Sequence, residues 1–99
     1  MTEERKKTDE NVVFIGPKPF MNYVTGVVMQ FTTQDAKSVI VKARGKFISK
    51  AVDVVEVARK RFLEGAVDIK DIKIDSEEFK NKEGRQIRVI SIELELVKK

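Results

Sequence analysis

Between residues 90 and 96 an apolar side chain occupies every second position. Ile90, Ile92, Leu94 and Leu96 alternate with Ser91, Glu93 and Glu95. A period of two belongs to a strand with one dry face and one wet face. The rest of the chain must therefore cover one side of a sheet and leave the other in water. Two earlier stretches have the helical period such a cover requires. From Phe20 the apolar positions are 20, 21, 23, 24, 27, 28 and 31, with Asn22, Thr25, Gly26 and Gln30 away from that face. From Phe47 or Ile48 to about Leu63 a second stripe runs through Ile48, Ala51, Val52, Val55, Ala58 and Phe62, and Gly65 is the C-terminal stop. Val54 falls at the edge of that stripe and Val57 opposite it, so this helix is apolar beyond one face. In so short a chain that points to a second buried contact, with another subunit.

The remaining strands are shorter signals. Asn11 to Gly16 is an apolar run closed by glycine, followed by Pro17-Lys18-Pro19, an extended turn whose second proline suits the start of a helix. A second buried strand spans about Ser38 to Ala43. Val67 to Asp75 alternates except at Lys70-Asp71, where the break predicts a bulge or twist. The mostly polar residues 76–88, with the turn signal Asn81-Lys82-Glu83-Gly84, join it to the last strand as a hairpin longer than the core. The expected fold is α+β: a βαβαββ two-layer sandwich, a mixed four-stranded sheet with both helices on one face and an extended β3–β4 hairpin. Residues 1–10, whose only apolar side chain is Met1, read as a disordered arm ahead of a single domain at 11–99.

Composition narrows the chemistry. The chain has no cysteine and no histidine, which removes disulfides, thiolate nucleophiles and the usual zinc ligands, and takes away the commonest acid–base catalyst near neutral pH. Asp68, Asp71, Asp75, Glu77 and Glu78 offer paired carboxylates for magnesium or for catalysis, but they alternate with lysines and read as solvated charges. Gly45-Lys46 lacks the upstream glycine and following hydroxyl of a phosphate-binding P-loop. The expectation is a protein that is not an enzyme and needs no metal or cofactor. No run of about 18 apolar residues and no signal peptide is visible, so a cytoplasmic location is expected.

The net charge is +4, and its distribution says more than its sum. Lys37, Lys42, Arg44, Lys46 and Lys50 crowd one window with no acidic residue between them. Lys42, Arg44 and Lys46 alternate through the exit of the second strand and are expected on one side, with Ala43 and Gly45 on the other. Phosphate is the expected ligand of such a cluster. The hairpin adds Lys80, Lys82, Arg85 and Arg88, offset by Glu77, Glu78 and Glu83, and a two-stranded ribbon can enter a DNA groove. Phe79 near its tip reads as packing across the ribbon, with a wedge between bases as the alternative. Arg59, Lys60 and Arg61 complement a helix C-terminus.

Two long segments resemble the Alba family of archaeal chromatin proteins. They are Asn11-Val-Val-Phe-Ile-Gly-Pro-Lys-Pro-Phe-Met-Asn-Tyr-Val24 and Val39-Ile-Val-Lys-Ala-Arg-Gly-Lys-Phe-Ile-Ser-Lys-Ala-Val-Asp53. Arg59-Lys-Arg-Phe-Leu63 and Gly84-Arg-Gln-Ile-Arg88 extend the likeness, which covers about residues 11 to 97. It implies a fold like the C-terminal domain of translation initiation factor three. It also implies a homodimer whose central cations and two hairpin arms embrace double-stranded DNA in the nucleoid. By position it assigns nucleic-acid contacts to Lys18, Asn22, Arg44, Lys46, Arg85 and Arg88, and a dimer–dimer contact along DNA to Phe62. The family often has two lysines after the glycine, the first an acetylation target in some members. Here that first position is Pro17, so Lys18 acts without its neighbour.

The expected function is a sequence-nonspecific duplex DNA-binding chromatin protein, homodimeric, that coats, compacts or bridges DNA. Its expected contacts are Lys18, Asn22, Lys42, Arg44, Lys46, Lys80, Lys82, Arg85 and Arg88. The alternative is an RNA-binding protein or a subunit of an RNA-processing ribonucleoprotein.

Overall fold

A computed structural model describes residues 11–99. Its elements follow the expected order. Strand β1 is Val12–Phe14, helix α1 Phe20–Thr32, strand β2 Ser38–Arg44, helix α2 Ile48–Val57, strand β3 Val67–Lys80 and strand β4 Gln86–Lys98. A 3-10 turn, Gly45–Phe47, leads into α2, and a π-helical turn, Ala58–Phe62, follows it. The four strands form one mixed sheet in the order β1-β2-β4-β3, with β1 parallel to β2 and the other pairs antiparallel. The arm expected at residues 1–10 lies outside the described residues.

Alternation decides the layers. Val39, Val41 and Ala43 of β2 stand opposite Leu96, Leu94 and Ile92 of β4, and all six are buried under the helices. Val24, Val27 and Phe31 of α1 and Ala51, Val54, Val55 and Ala58 of the second helix close over them. Fully burying a side chain such as Leu96 stabilises the fold by about 2 kcal/mol. The opposite face, with Lys42, Arg44, Ser91, Glu93 and Glu95, stays wet, as the alternation required.

The stripe of α2 differs from the expectation. Val54 is fully buried, Val57 packs against the core, and Val52 and Phe62 are exposed. Within α2 the buried face is centred on Ala51, Val54, Val55 and Ala58, which leaves Val52 outside; at Phe62 the cause is the π-helical turn. Leu63 N donates to Ala58 O, a five-residue step, which rotates Leu63 into the core where a uniform helix would have put Phe62. Strand β1 also departs from the buried reading. It is a sheet edge, and Phe14 points into solvent.

The bulge predicted at Lys70-Asp71 is present as a register shift between Ile69 and Asp71. It keeps β3 in phase. Ile69 stands opposite Leu96, and the extra residue lets Ile72 and Ile74 stand opposite Leu94 and Ile92, on the same side of the sheet. Without it both would turn to the wet face. No helix reaches this far across the sheet, so Ile74 remains 73% exposed, and Ile72 and Ile90 are exposed as well.

Candidate nucleic-acid interface

Parallel pairing of β1 and β2 puts the ends of both strands at one edge of the sheet, and the loops that follow them lie side by side. Lys18 sits in the first loop and Arg44 and Lys46 in and beside the second. Gly45, at φ +54, turns the chain from strand to helix at this point, a conformation open to glycine at little cost. The expected alternation of Lys42, Arg44 and Lys46 stops here. β2 ends at Arg44, and Lys46 belongs to the 3-10 turn.

The hairpin leaves from the same edge. The last pair that β2 makes with β4 is Arg44 with Ser91, and Ser91 stands opposite Asp75. Beyond that line residues 76–80 and 86–90 pair only with each other. Five residues of strand extend this ribbon about 17 Å past the sheet, before the turn is added. Asn81 organises the tip, its side-chain oxygen accepting from Glu83 N at 3.0 Å and Arg85 N at 2.9 Å, with Gly84 at φ +83. Lys80, Lys82, Arg85 and Arg88 are all exposed on this arm. Phe79 stands opposite Ile87 in the ladder while keeping an exposed face.

Charge at the edge is less one-sided than the sequence window implied. The window itself contains no acid, but neighbouring strands bring two. Lys42 Nζ lies 3.6 Å from Glu93, and Arg44 Nη2 lies 3.3 Å from Glu77. Lys42 is half-buried and set back from the edge, whereas Arg44 is exposed. Among the described residues no ion pair involves Lys18, Lys46, Lys80, Lys82, Arg85 or Arg88. Asn22 is exposed in the first turn of α1, beside the Lys18 loop.

Two contributors were not singled out from the sequence. The first is a strut. Lys50 Nζ donates to Gly16 O at 2.7 Å and Lys18 O at 2.6 Å, and lies 5.0 Å from the Tyr23 ring centroid. The Tyr23 hydroxyl accepts from Gly16 N at 3.0 Å and Lys18 N at 3.1 Å. Lys50 and Tyr23 thus hold both sides of the loop that presents Lys18. The second is a pair of helix N-termini. α1 and α2 both begin at this edge, and neither has an acidic residue in its first turn or a side-chain cap. Asn22 N donates to Pro19 O and Ile48 N to Gly45 O, but the partial positive charge at each helix start is left uncompensated by any side chain and favours an anion. The absence of Asp or Glu at both helix starts was visible in the sequence and carried that signal.

The Alba family model matches residues 11–76. The chain belongs to the Alba family. It is 60% identical over 88 residues to a Nanoarchaeum equitans protein named DNA/RNA-binding protein Alba, spanning 88% of this chain and 97% of that one. A Methanococcus maripaludis protein of the same name is 46% identical over 89 residues, spanning 90% and 99% of the two chains. Among solved structures, Alba from Thermoplasma volcanium superposes with a TM-score of 0.78 at 45% identity, covering 88% of this chain and 99% of that one. ALBA1 from Trypanosoma brucei superposes with a TM-score of 0.70 at 26% identity, covering 89% and 68%. The Nanoarchaeum and Methanococcus relatives are named for what they bind and not for a reaction. No helix among the described residues is long and apolar enough to cross a membrane.

Proposed function

We propose that this Alba-family chain binds nucleic acid without reading sequence, and that as a homodimer it coats, compacts or bridges duplex DNA in the nucleoid. One observation carries the reading. Lys18, Arg44 and Lys46 converge on a single edge of the sheet, and the basic ribbon projects from that same edge. Phosphate oxygens meet the exposed cations, Asn22 and the two helix N-termini, while the ribbon follows a groove. The driving force is release of counterions from the phosphates. Arg44 can leave Glu77 for a phosphate at little cost, because an exposed ion pair contributes only about 0–1 kcal/mol. The names of the Nanoarchaeum and Methanococcus relatives support nucleic acid as the ligand class.

The homodimer rests on the uncovered apolar side chains. Ile72, Ile74 and Ile90 form an exposed apolar strip on the helix-bearing side of the β3–β4 ribbon, and a second copy would bury them. A dimer then carries two ribbons and two basic edges. Phe62, 52% exposed beside Arg61 and Lys60, is the proposed contact between dimers along DNA.

The second reading, an RNA-binding protein or a subunit of an RNA-processing particle, is favoured by the DNA/RNA in the relatives' names. Competition between duplex DNA and duplex RNA for the same protein in one salt buffer tests the choice. Displacement of RNA by an equal concentration of DNA is expected, and retention of RNA against a large DNA excess would reverse the ranking.

A further inference from the structure

The wet face of the sheet carries a feature that duplex binding leaves unused. Phe14, the last residue of β1, is 68% exposed on that face. It stands beside Lys42 in the register, and Lys42 stands beside Glu93, so the three form a row across β1, β2 and β4. Lys42 Nζ lies 5.7 Å from the centroid of the Phe14 ring. With Arg44, Glu77 and Val89 they line an open groove of about 620 Å³.

The chemistry of this groove selects its occupant. Lys42 is paired with Glu93, and when Arg44 leaves Glu77 for a duplex phosphate the lining keeps two carboxylates against one cation, a poor seat for a further phosphate. Its apolar part is the exposed ring of Phe14 with Val89, and Ile15, Ala43, Phe47 and Ile92 complete the apolar lining. A flat, uncharged heterocycle with donors and acceptors along its edge satisfies both parts. Its face stacks on Phe14 and its edge meets the ammonium of Lys42 and the carboxylate of Glu93. The attached sugar–phosphate is met at the mouth by Lys46, which lies between Arg44 and Phe47, both lining residues, and which has no carboxylate partner among the described residues.

We propose that this groove is a subsite for one unpaired nucleobase of a single-stranded nucleic acid, stacked on Phe14. Bases inside a duplex are already stacked on one another and present no face to the ring, so single strands, loops and ends are the class it takes. The inference rests on the nucleic-acid reading above and adds to it a second mode of contact.

The test is an anisotropy titration of the full chain with three labelled probes. They are a single-stranded RNA, a strand of the same length and charge with abasic residues, and a duplex DNA. Wild type, Phe14→Leu and Phe14→Tyr are compared. Because Phe14 is mostly exposed, the variants should fold, and circular dichroism with duplex affinity reports that they do. Phe14→Leu is expected to weaken single-strand binding about 5- to 150-fold, the range for losing one base–aromatic stack. It should leave duplex binding unchanged, and Phe14→Tyr should restore single-strand affinity. The abasic strand should bind wild type as weakly as the normal strand binds Phe14→Leu. Unchanged single-strand affinity in Phe14→Leu, or equal binding of normal and abasic strands by wild type, overturns the subsite while leaving the duplex reading intact. Failure of wild type to bind any of the probes overturns the nucleic-acid reading and the subsite with it.

Discussion

Lys50→Met separates the two jobs a lysine can do at this surface. Lys50 lies in the most basic window of the chain, yet its ammonium is directed at the protein's own backbone, donating to Gly16 O at 2.7 Å and Lys18 O at 2.6 Å. A hydrogen bond from a charged donor contributes about 1.5–3 kcal/mol net. The Lys18 carbonyl is exposed and regains water when the bond is broken, so the two bonds together are worth about 2 kcal/mol, less than the sum of two buried ones. For a domain of this size that lowers the melting temperature by roughly 10 °C. Methionine is one atom shorter but keeps the unbranched apolar stem of the side chain, so packing against Tyr23 is changed little. A lower Tm and a several-fold loss of duplex affinity are expected, because the loop presenting Lys18 loosens. The slope of log affinity against log salt should be unchanged, since every phosphate is still neutralised. Lys46→Ala should do the reverse, leaving Tm alone and lowering the slope by about 0.9 for each phosphate no longer neutralised. A Lys50→Met protein that melts like wild type but loses that increment of slope would show Lys50 to be a phosphate ligand and the strut argument to be wrong.

Other substitutions probe separate parts of the account. Glu77→Gln removes the carboxylate 3.3 Å from Arg44 and should tighten duplex binding about two- to five-fold, as the competing pair is worth under about 1 kcal/mol; weaker binding measured by anisotropy would mean that Glu77 positions Arg44. Phe62→Ala should leave the affinity of a single dimer for a short duplex unchanged and reduce cooperativity on long DNA, and cooperativity that survives in gel-shift titrations would remove Phe62 from the dimer–dimer contact. Glu56→Gln tests an ion pair on the outside of α2. The hydrogen bonds from Arg59, at 3.1 and 2.7 Å, hold the Glu56 carboxyl below its ordinary 4.5, against the partial burial that raises it. A folded value below the unfolded one stabilises the protein above about pH 4.5 and loses that contribution as pH falls through the folded value. The variant should therefore be about 0.5 kcal/mol less stable near neutral pH, with the gap closing in acid; a gap constant with pH in urea titrations would contradict this.

Periodicity made most of the fold legible. The alternation of residues 90–96 announced a one-faced sheet, and the phase error at Lys70-Asp71 announced the bulge that keeps Ile72 and Ile74 on the helix side. What escaped were features set by geometry that no local period encodes. The π-helical turn exchanged Leu63 for Phe62 in the core, and a stripe drawn at 3.6 residues per turn cannot foresee a five-residue step. The candidate site was legible as a set of cations but not as a field. Glu93 and Glu77 are 51 and 33 positions from Lys42 and Arg44 in the sequence, and only strand pairing brings them to those side chains. The same limit hid Lys50, whose backbone acceptors lie 34 and 32 residues away. Phe14 reads as part of a buried run because its strand is apolar throughout, and only the sheet order shows it to be an edge.

In the proposed complex, cations at one sheet edge and on the ribbon engage the phosphates of one duplex. Duplex affinity measured across a series of salt concentrations, for wild type and for the Arg44→Ala/Lys46→Ala double variant, tests it most directly. With about six phosphates neutralised per dimer, log affinity should fall against log salt with a slope near −5, and the double variant should show a visibly shallower slope for every sequence tried. A wild-type affinity indifferent to salt, or a double variant with the wild-type slope, would mean that this edge does not hold the phosphates.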